Sequence, residues 1–80
     1  MRTRAKIGCI VSCGGDVAGR ICDRVVVAVE VGEARRLLEE ALRWDVDILV
    51  VDKAFFRYLK EEIYAYRRKN NFPLIVEGGF

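Results

Sequence analysis

The chain has no histidine, no glutamine and a single proline among its 80 residues. Without histidine it cannot build a Ser/His/Asp triad or a histidine-ligated zinc site, and its three cysteines do not follow the CxxC spacing of zinc motifs. No apolar run reaches the roughly 18 residues that a bilayer-spanning helix needs. The net charge of +2 is too small to indicate a nucleic-acid-binding protein. We therefore expect no metal, no membrane span and no nucleic-acid partner.

The composition is that of one small globular domain covering residues 1–80. Hydrophobic residues make up 52% and charged residues 32% of the chain, a balance typical of soluble proteins. The basic start at Arg2, Arg4 and Lys6 precedes an apolar segment that is soon broken by glycines and an aspartate, so we expect no signal peptide and a cytoplasmic protein. The scarcity of amides, only Asn70 and Asn71, resembles proteins of thermophiles.

Three cysteines, Cys9, Cys13 and Cys22, lie close together in the sequence. We interpret them first as small apolar residues in or near the first strand. A Cys13–Cys22 disulfide is the alternative if the source is a hyperthermophile, where intracellular disulfides occur. A catalytic thiol is the least favoured interpretation, because no base stands beside any of them in sequence.

Apolar, β-branched runs alternate with segments of helical periodicity along the whole chain. The runs predict strands, and the periodic segments predict helices. The predicted strands are 5–12, 25–31, 46–51 and 74–77, and the predicted helices are 16–22, 33–42 and 53–69. This alternation predicts an α/β fold: a small open parallel four-stranded sheet of order 2-1-3-4, with strand one central and helices on both faces.

In such a sheet a ligand would lie at the carboxyl ends of strands one and three. Gly14 and Gly15 could cradle a phosphate there, but neither GxGxxG nor GxxxxGK[ST] is present, so a tight turn is favoured. Asp16 and Asp52 could form an acidic metal-binding pair, but helix N-caps are favoured for both. We expect no cofactor.

The last helix combines a buried stripe with a charged and aromatic outer side. Its stripe is Phe55, Leu59, Ile63 and Tyr66, and Asn70 or Asn71 is predicted to end it in a left-handed turn. Either Phe55, Tyr58 and Tyr66 complete the core and Tyr64 alone is exposed, or some of the aromatic side chains reach the surface as part of an interface. We predict a partner-binding face on this helix, formed by Arg57, Lys60, Tyr64, Arg67 and Arg68.

Two strands and the helix between them resemble the F subunit of the archaeal/vacuolar-type (A/V-type) ATP synthase. The matching segments are Asp47-Ile48-Leu49-Val50-Val51, Glu61-Glu62-Ile63 and Pro73-Leu74-Ile75-Val76-Glu77. The first half of the chain fits in the order of its elements only, with a shortened glycine-rich segment after strand one. The C-terminal helix of the family has no counterpart before the chain ends at Phe80.

The resemblance implies a non-catalytic central-stalk subunit of a V-type ATPase or ATP synthase. Such a subunit binds the coiled-coil stalk subunit, assists the coupling of ATP synthesis or hydrolysis to hydrogen ion transport, and meets the membrane only through the complex. An alternative is a receiver-like signalling domain with Asp52 as phospho-acceptor, although the acidic pair after strand one and the fifth-strand lysine are missing. A small-ligand-binding module, based on Gly14-Gly15-Asp16, is a third possibility.

Overall fold

The computed structural model describes residues 5–12, 19–71 and 73–78. Within these ranges the elements, in chain order, are β1 (Ile7–Val11), β2 (Arg24–Val27), α1 (Val31–Ala41), β3 (Ile48–Asp52), α2 (Lys53–Phe56), α3 (Lys60–Lys69) and β4 (Leu74–Gly78). All strand pairs are parallel and the strand order is β2-β1-β3-β4. The predicted small open α/β sheet of order 2-1-3-4, with strand one inside it, is confirmed. Helices were predicted on both faces, but all the helices in the described ranges pack on one face, and most of the helix predicted at 16–22 lies outside those ranges.

The main core lies between one face of the sheet and the three described helices. Alternate strand residues face it, because successive side chains of a strand point to opposite faces. Its buried members include Ile10, Leu49, Val51 and Ile75 from the strands and Ala34, Leu38, Phe55, Leu59 and Ile63 from the helical segments. A smaller cluster on the other face is built on Cys9 and Val11. Most of the helix predicted at 16–22 lies outside the described residues, and its described part, 19–22, is a turn and irregular chain.

Strand β2 is shorter than predicted, because the run of valines is divided between a strand and a helix. Ala28 N–H still donates to Val11 O at 2.9 Å, but the next residue, Val29, is exposed. The Glu33 carboxylate accepts the Val29 N–H at 2.7 Å and turns the chain into α1, which begins at Val31. The predictions of a strand to 31 and a helix start at 33 were therefore wrong.

The single helix predicted over 53–69 is interrupted after its first turn. Leu59 N–H donates to the carbonyls of both Phe55 and Phe56, and the chain from Arg57 to Leu59 forms a turn between α2 and α3. The buried stripe survives the interruption, since Leu59 and Ile63 are both fully buried. Asn70 follows α3 with an extended backbone (φ −138°, ψ 140°), so the left-handed turn predicted for Asn70 or Asn71 is not made by Asn70.

A disulfide joins Cys9 of β1 to Cys22, just before β2, with a Cα–Cα distance of 6.4 Å. The alternative pairing Cys13–Cys22 was therefore wrong in its first member, and Cys13 itself lies outside the described residues. Cys9 is fully buried, as expected for a cysteine in a central strand, but the favoured interpretation of the cysteines as small apolar residues was wrong for Cys9 and Cys22, which are disulfide-bonded. None of the helices in the described ranges is long and apolar enough to cross a membrane.

Candidate functional site

Two surfaces are candidates for function: a pocket at the carboxyl ends of the strands and the outer side of α3. The pocket is open, has a volume of about 540 Å³ and is bordered by Ser12, Asp52, Lys53, Arg57 and Glu77. It lies beside the ends of β1 and β3, where the order of the strands reverses. Open α/β sheets bind their ligands at this position.

Asp52 is the most constrained polar residue of the pocket. Its side chain is 5% exposed. One carboxylate oxygen, Oδ2, accepts the Ser12 N–H at 3.0 Å and the Ser12 hydroxyl at 2.7 Å. The other, Oδ1, accepts the Ala54 N–H at 3.0 Å and caps α2. The predicted N-cap is confirmed, and Asp52 also fastens the end of β1 to the end of β3.

These contacts determine the charge of Asp52. Burial raises the pKa of its carboxyl group, but the hydrogen bonds from Ala54 and Ser12 and the positive charge of Lys53 outweigh burial, so the pKa lies below its ordinary value. The group is therefore an ionised carboxylate whose two oxygens already accept three hydrogen bonds. Such a carboxylate organises the strand ends.

The other sequence candidates at the strand ends, Gly14, Gly15 and Asp16, lie outside the described residues. In the described ranges no cluster of three cysteine, aspartate or glutamate side chains is arranged to hold a metal ion. The contact of Ser12 with Asp52 was not predicted, although the predicted strand order places the two residues at neighbouring strand ends.

The outer side of α3 brings together three of the residues predicted to bind a partner. The Tyr64 ring, 40% exposed, lies between two cations: Lys60 Nζ is 5.7 Å and Arg67 Cζ is 5.5 Å from its centroid. The Arg67 guanidinium also donates to the carbonyl oxygen of Ile75 in β4. Tyr64 therefore presents its ring from a charged and partly fixed setting.

Arg68 lies beside this group, and Arg57 lies elsewhere. Arg68 lines a shallow groove of about 330 Å³ on α3 together with Glu61, Tyr64 and Ala65. Arg57 lies in the turn between α2 and α3, where it borders the strand-end pocket. The structure thus groups Lys60, Tyr64, Arg67 and Arg68 on one surface, which we call the α3 face, and leaves Arg57 out of it.

The two alternatives for the aromatic residues are resolved in favour of surface exposure. Tyr58, which would have completed the core in one alternative, is exposed together with Tyr64. Phe55 is buried, and Tyr66 is half-buried against the main core. Arg57 Cζ lies 5.8 Å from the Tyr58 ring centroid, so this exposed tyrosine also has a cation beside it.

Trp44 anchors the opposite, amino end of the strands. Arg24 Cζ lies 4.5 Å from the centroid of the Trp44 ring, a cation–π contact that sequence inspection did not predict. The ring also packs directly on Gly8 in β1: a Cβ added to Gly8 would lie 2.8 Å from Trp44 Cε3. The Trp44 indole N–H is buried and has no hydrogen-bond partner among the described residues.

No protein-family model, curated protein or solved structure matches this chain.

Proposed function

We propose that this chain is a non-catalytic, protein-binding component of the central stalk of an A/V-type ATP synthase, the role that its resemblance to the F subunit implies. One observation carries the proposal. Of the three segments that hold the resemblance, two form β3 and β4, adjacent parallel strands, and the third lies in α3 between them, in a sheet of the order that the resemblance implies. The match of residues and the fold thus agree over the same half of the chain.

The α3 face is the surface that best suits a helical stalk partner. A tyrosine held between Lys60 and Arg67 offers a large contact area at low entropic cost, and rings of this kind often dominate binding energy. Flanking cations accelerate encounter with an acidic coiled coil. In this role the chain needs no cofactor, lies on the cytoplasmic side, and supports the coupling of ATP turnover to hydrogen ion transport by holding the stalk.

The bonding of Asp52 weighs against the receiver-like alternative. A phospho-acceptor carboxylate needs an oxygen free to attack phosphorus, whereas both oxygens of Asp52 accept hydrogen bonds from Ser12 or Ala54. Incubation with acetyl phosphate and Mg²⁺ should leave the protein unmodified by mass spectrometry. Labelling that is lost in Asp52→Asn would favour the receiver over the stalk component. A nucleotide titration that detects binding at the strand-end pocket would favour the small-ligand module.

The proposal is tested by calorimetric titration with the coiled-coil stalk protein. Tyr64→Ala combined with Arg68→Glu removes the ring and reverses one charge, and should weaken binding about tenfold or more. The matched control, Tyr58→Ala combined with Arg36→Glu, makes the same chemical changes at exposed positions outside the α3 face and should bind normally. Circular dichroism should show both variants folded.

Two results would count against this assignment. If the unaltered chain shows no binding to the stalk protein, the proposed function is wrong. If it binds and the Tyr64→Ala/Arg68→Glu variant binds equally well, the function stands but the interface lies elsewhere, at the strand ends near Lys53 or along β4.

A further inference from the structure

The outer edge of β4 is one of the two edges of the described sheet, the other being that of β2. Leu74 N–H donates to Asp47 O at 2.9 Å, so the backbone of Leu74 faces β3. Because backbone groups alternate in direction along a parallel strand, the N–H and C=O groups of Ile75 and Glu77 face away from the sheet. An edge of this kind is a template for pairing with another strand.

We propose that a second copy of this chain pairs with β4 in antiparallel orientation, giving a twofold-symmetric dimer with a continuous eight-stranded sheet. In the register that we infer, Ile75 of each copy lies opposite Glu77 of the other. Both copies then donate and accept backbone hydrogen bonds at these two positions, and the Ile75 carbonyl, which already accepts from Arg67, accepts a second hydrogen bond. The proline that begins this segment, Pro73, has no N–H to leave unpaired and lies outside the four bonds.

Two apolar side chains support this pairing, and they lie on the side of the sheet opposite the helices. Leu74 and Val76 point to that face and are 56% and 40% exposed. In the inferred register Val76 of one copy lies directly opposite Val76 of the other, in the closely spaced type of antiparallel pair. Apolar, β-branched pairs at such positions stabilise a sheet, and two half-exposed valines would become buried.

On the helix side of the sheet, the charges at the edge are complementary to themselves. Arg67 reaches the edge, where it donates to the carbonyl of Ile75. Glu77 is exposed, and its register with Val51, a residue of the main core, places it on the helix side. When Ile75 lies opposite Glu77 of the second copy, the Glu77 carboxylate meets the partner's Arg67. Symmetry produces this contact twice.

Helix α3 has the same self-complementary character. Glu62 reaches across to Arg35 of α1 at 3.1 Å, whereas Arg67 reaches β4, so α3 lies between α1 and the β4 edge of the described sheet. Along its groove Glu61 stands at one end and Arg68 at the other, with Tyr64 between them. A twofold axis near Tyr64 would set Glu61 of each copy beside the partner's Arg68.

These three patterns favour a second copy over an unrelated strand. A twofold interface uses one patch on both copies, so each group must find its complement within that same patch. Val76 against itself, Glu77 against Arg67, and Glu61 against Arg68 all meet this condition. The inference does not depend on the proposed function, because it concerns the isolated chain. The dimer would occupy the α3 face, so a helical stalk partner and a second copy would compete for it.

The test is sedimentation equilibrium of the full chain from low to high micromolar concentration. We expect a monomer–dimer equilibrium. Val76→Lys places two lysines against each other at the twofold axis and should abolish the dimer, since edge lysines oppose strand pairing. Glu61→Arg and Arg68→Glu should each weaken it about tenfold, and the two changes combined in one chain should restore it, because the opposite charges meet again.

A control variant and a fold measurement complete the design. Glu39→Arg makes the same charge change as Glu61→Arg on the exposed side of α1, away from the edge, and should leave the dimer unaffected. Circular dichroism spectra should be alike for all variants, and so should thermal melting at a concentration low enough for the wild type to be monomeric. A wild-type chain that remains monomeric at every concentration, or a dimer that survives Val76→Lys, would overturn the proposal.

Discussion

Removal of the Cys9–Cys22 disulfide should be the most damaging single covalent change to this fold. The bond closes a loop with a sequence separation of 13 residues. In the chain-entropy model a loop of this length stabilises the folded state by about 3 kcal/mol, because the cross-link restricts the unfolded chain. Domains of this size are stable by about 4–12 kcal/mol in total, so the loss would be a large share of that stability.

Cys22→Ser is the appropriate substitution. Cys22 is only half-buried, so a serine hydroxyl there retains access to solvent, whereas Cys9 is fully buried and a serine at that position would add a desolvation cost of its own. We expect the melting temperature of Cys22→Ser to fall by about 12–24 °C, the shift that 3 kcal/mol produces in a domain of this size.

Urea unfolding followed by the fluorescence of Trp44, the only tryptophan, measures the change directly. The oxidised wild type should lose its extra stability when a reducing agent is added, and should then match Cys22→Ser. The variant itself should not respond to the reducing agent. If thiol titration of the oxidised wild type finds three free thiols, or if reduction leaves its unfolding midpoint unchanged, the disulfide and the loop-closure argument are both wrong.

Three further changes test other parts of the structure. Asp52→Ala should lower the free energy of unfolding in urea by about 2–3 kcal/mol, because it removes a charged acceptor and leaves the Ser12 N–H without that acceptor. Asp52→Asn keeps one acceptor oxygen and should lower the free energy of unfolding less. Equal stability of the wild type and both variants would contradict the contacts of Asp52. Because folding lowers the pKa of Asp52, the stabilisation from its ionised carboxylate is complete above the unfolded pKa of about 3.9 and is lost as the pH falls below that value. The difference in stability between the wild type and Asp52→Asn should therefore shrink in acid. A difference that grows in acid would refute the lowered pKa. Gly8→Ala should cost about 1–3 kcal/mol and alter Trp44 emission, because its Cβ would lie 2.8 Å from the ring, and a neutral result would mean that the ring moves away freely.

The strand order could be predicted because it depends on local residue patterns that are visible in one sequence. The central strand reads as an apolar run interrupted only by Lys6 and Gly8, and Asp52 stands directly before the following helix, where a carboxylate can cap the first turn. Both predictions are confirmed. The position of Asp52 against Ser12 was implied by the same strand order, but recognising it required the two strand ends to be considered as one site.

The incorrect predictions have one physical cause: the pattern of side chains does not show where backbone hydrogen bonding ends. Val29 and Val31 continue an apolar run, yet the chain leaves the sheet after Ala28, and the Glu33 carboxylate accepts the N–H of Val29. The turn after Phe56 keeps Leu59 in the buried stripe, and no glycine or proline marks it. Likewise, three cysteines permit three pairings, and only the packing of β1 against the segment before β2 selects Cys9 and Cys22.

The central position of β1 in the sheet also affects the rate and order of folding. β1 borders β2 and β3, and the contact between the Lys6 N–H and the Asp47 carboxylate spans 41 residues. Parallel pairing over such separations is slow, because loop-closure entropy is lost before the contacts form. During synthesis β1 therefore leaves the ribosome well before β3 exists to pair with it. The short Cys9–Cys22 loop offers the only covalent contact available in that interval among the described residues, and its oxidation should speed folding by holding β1 beside β2 until β3 arrives.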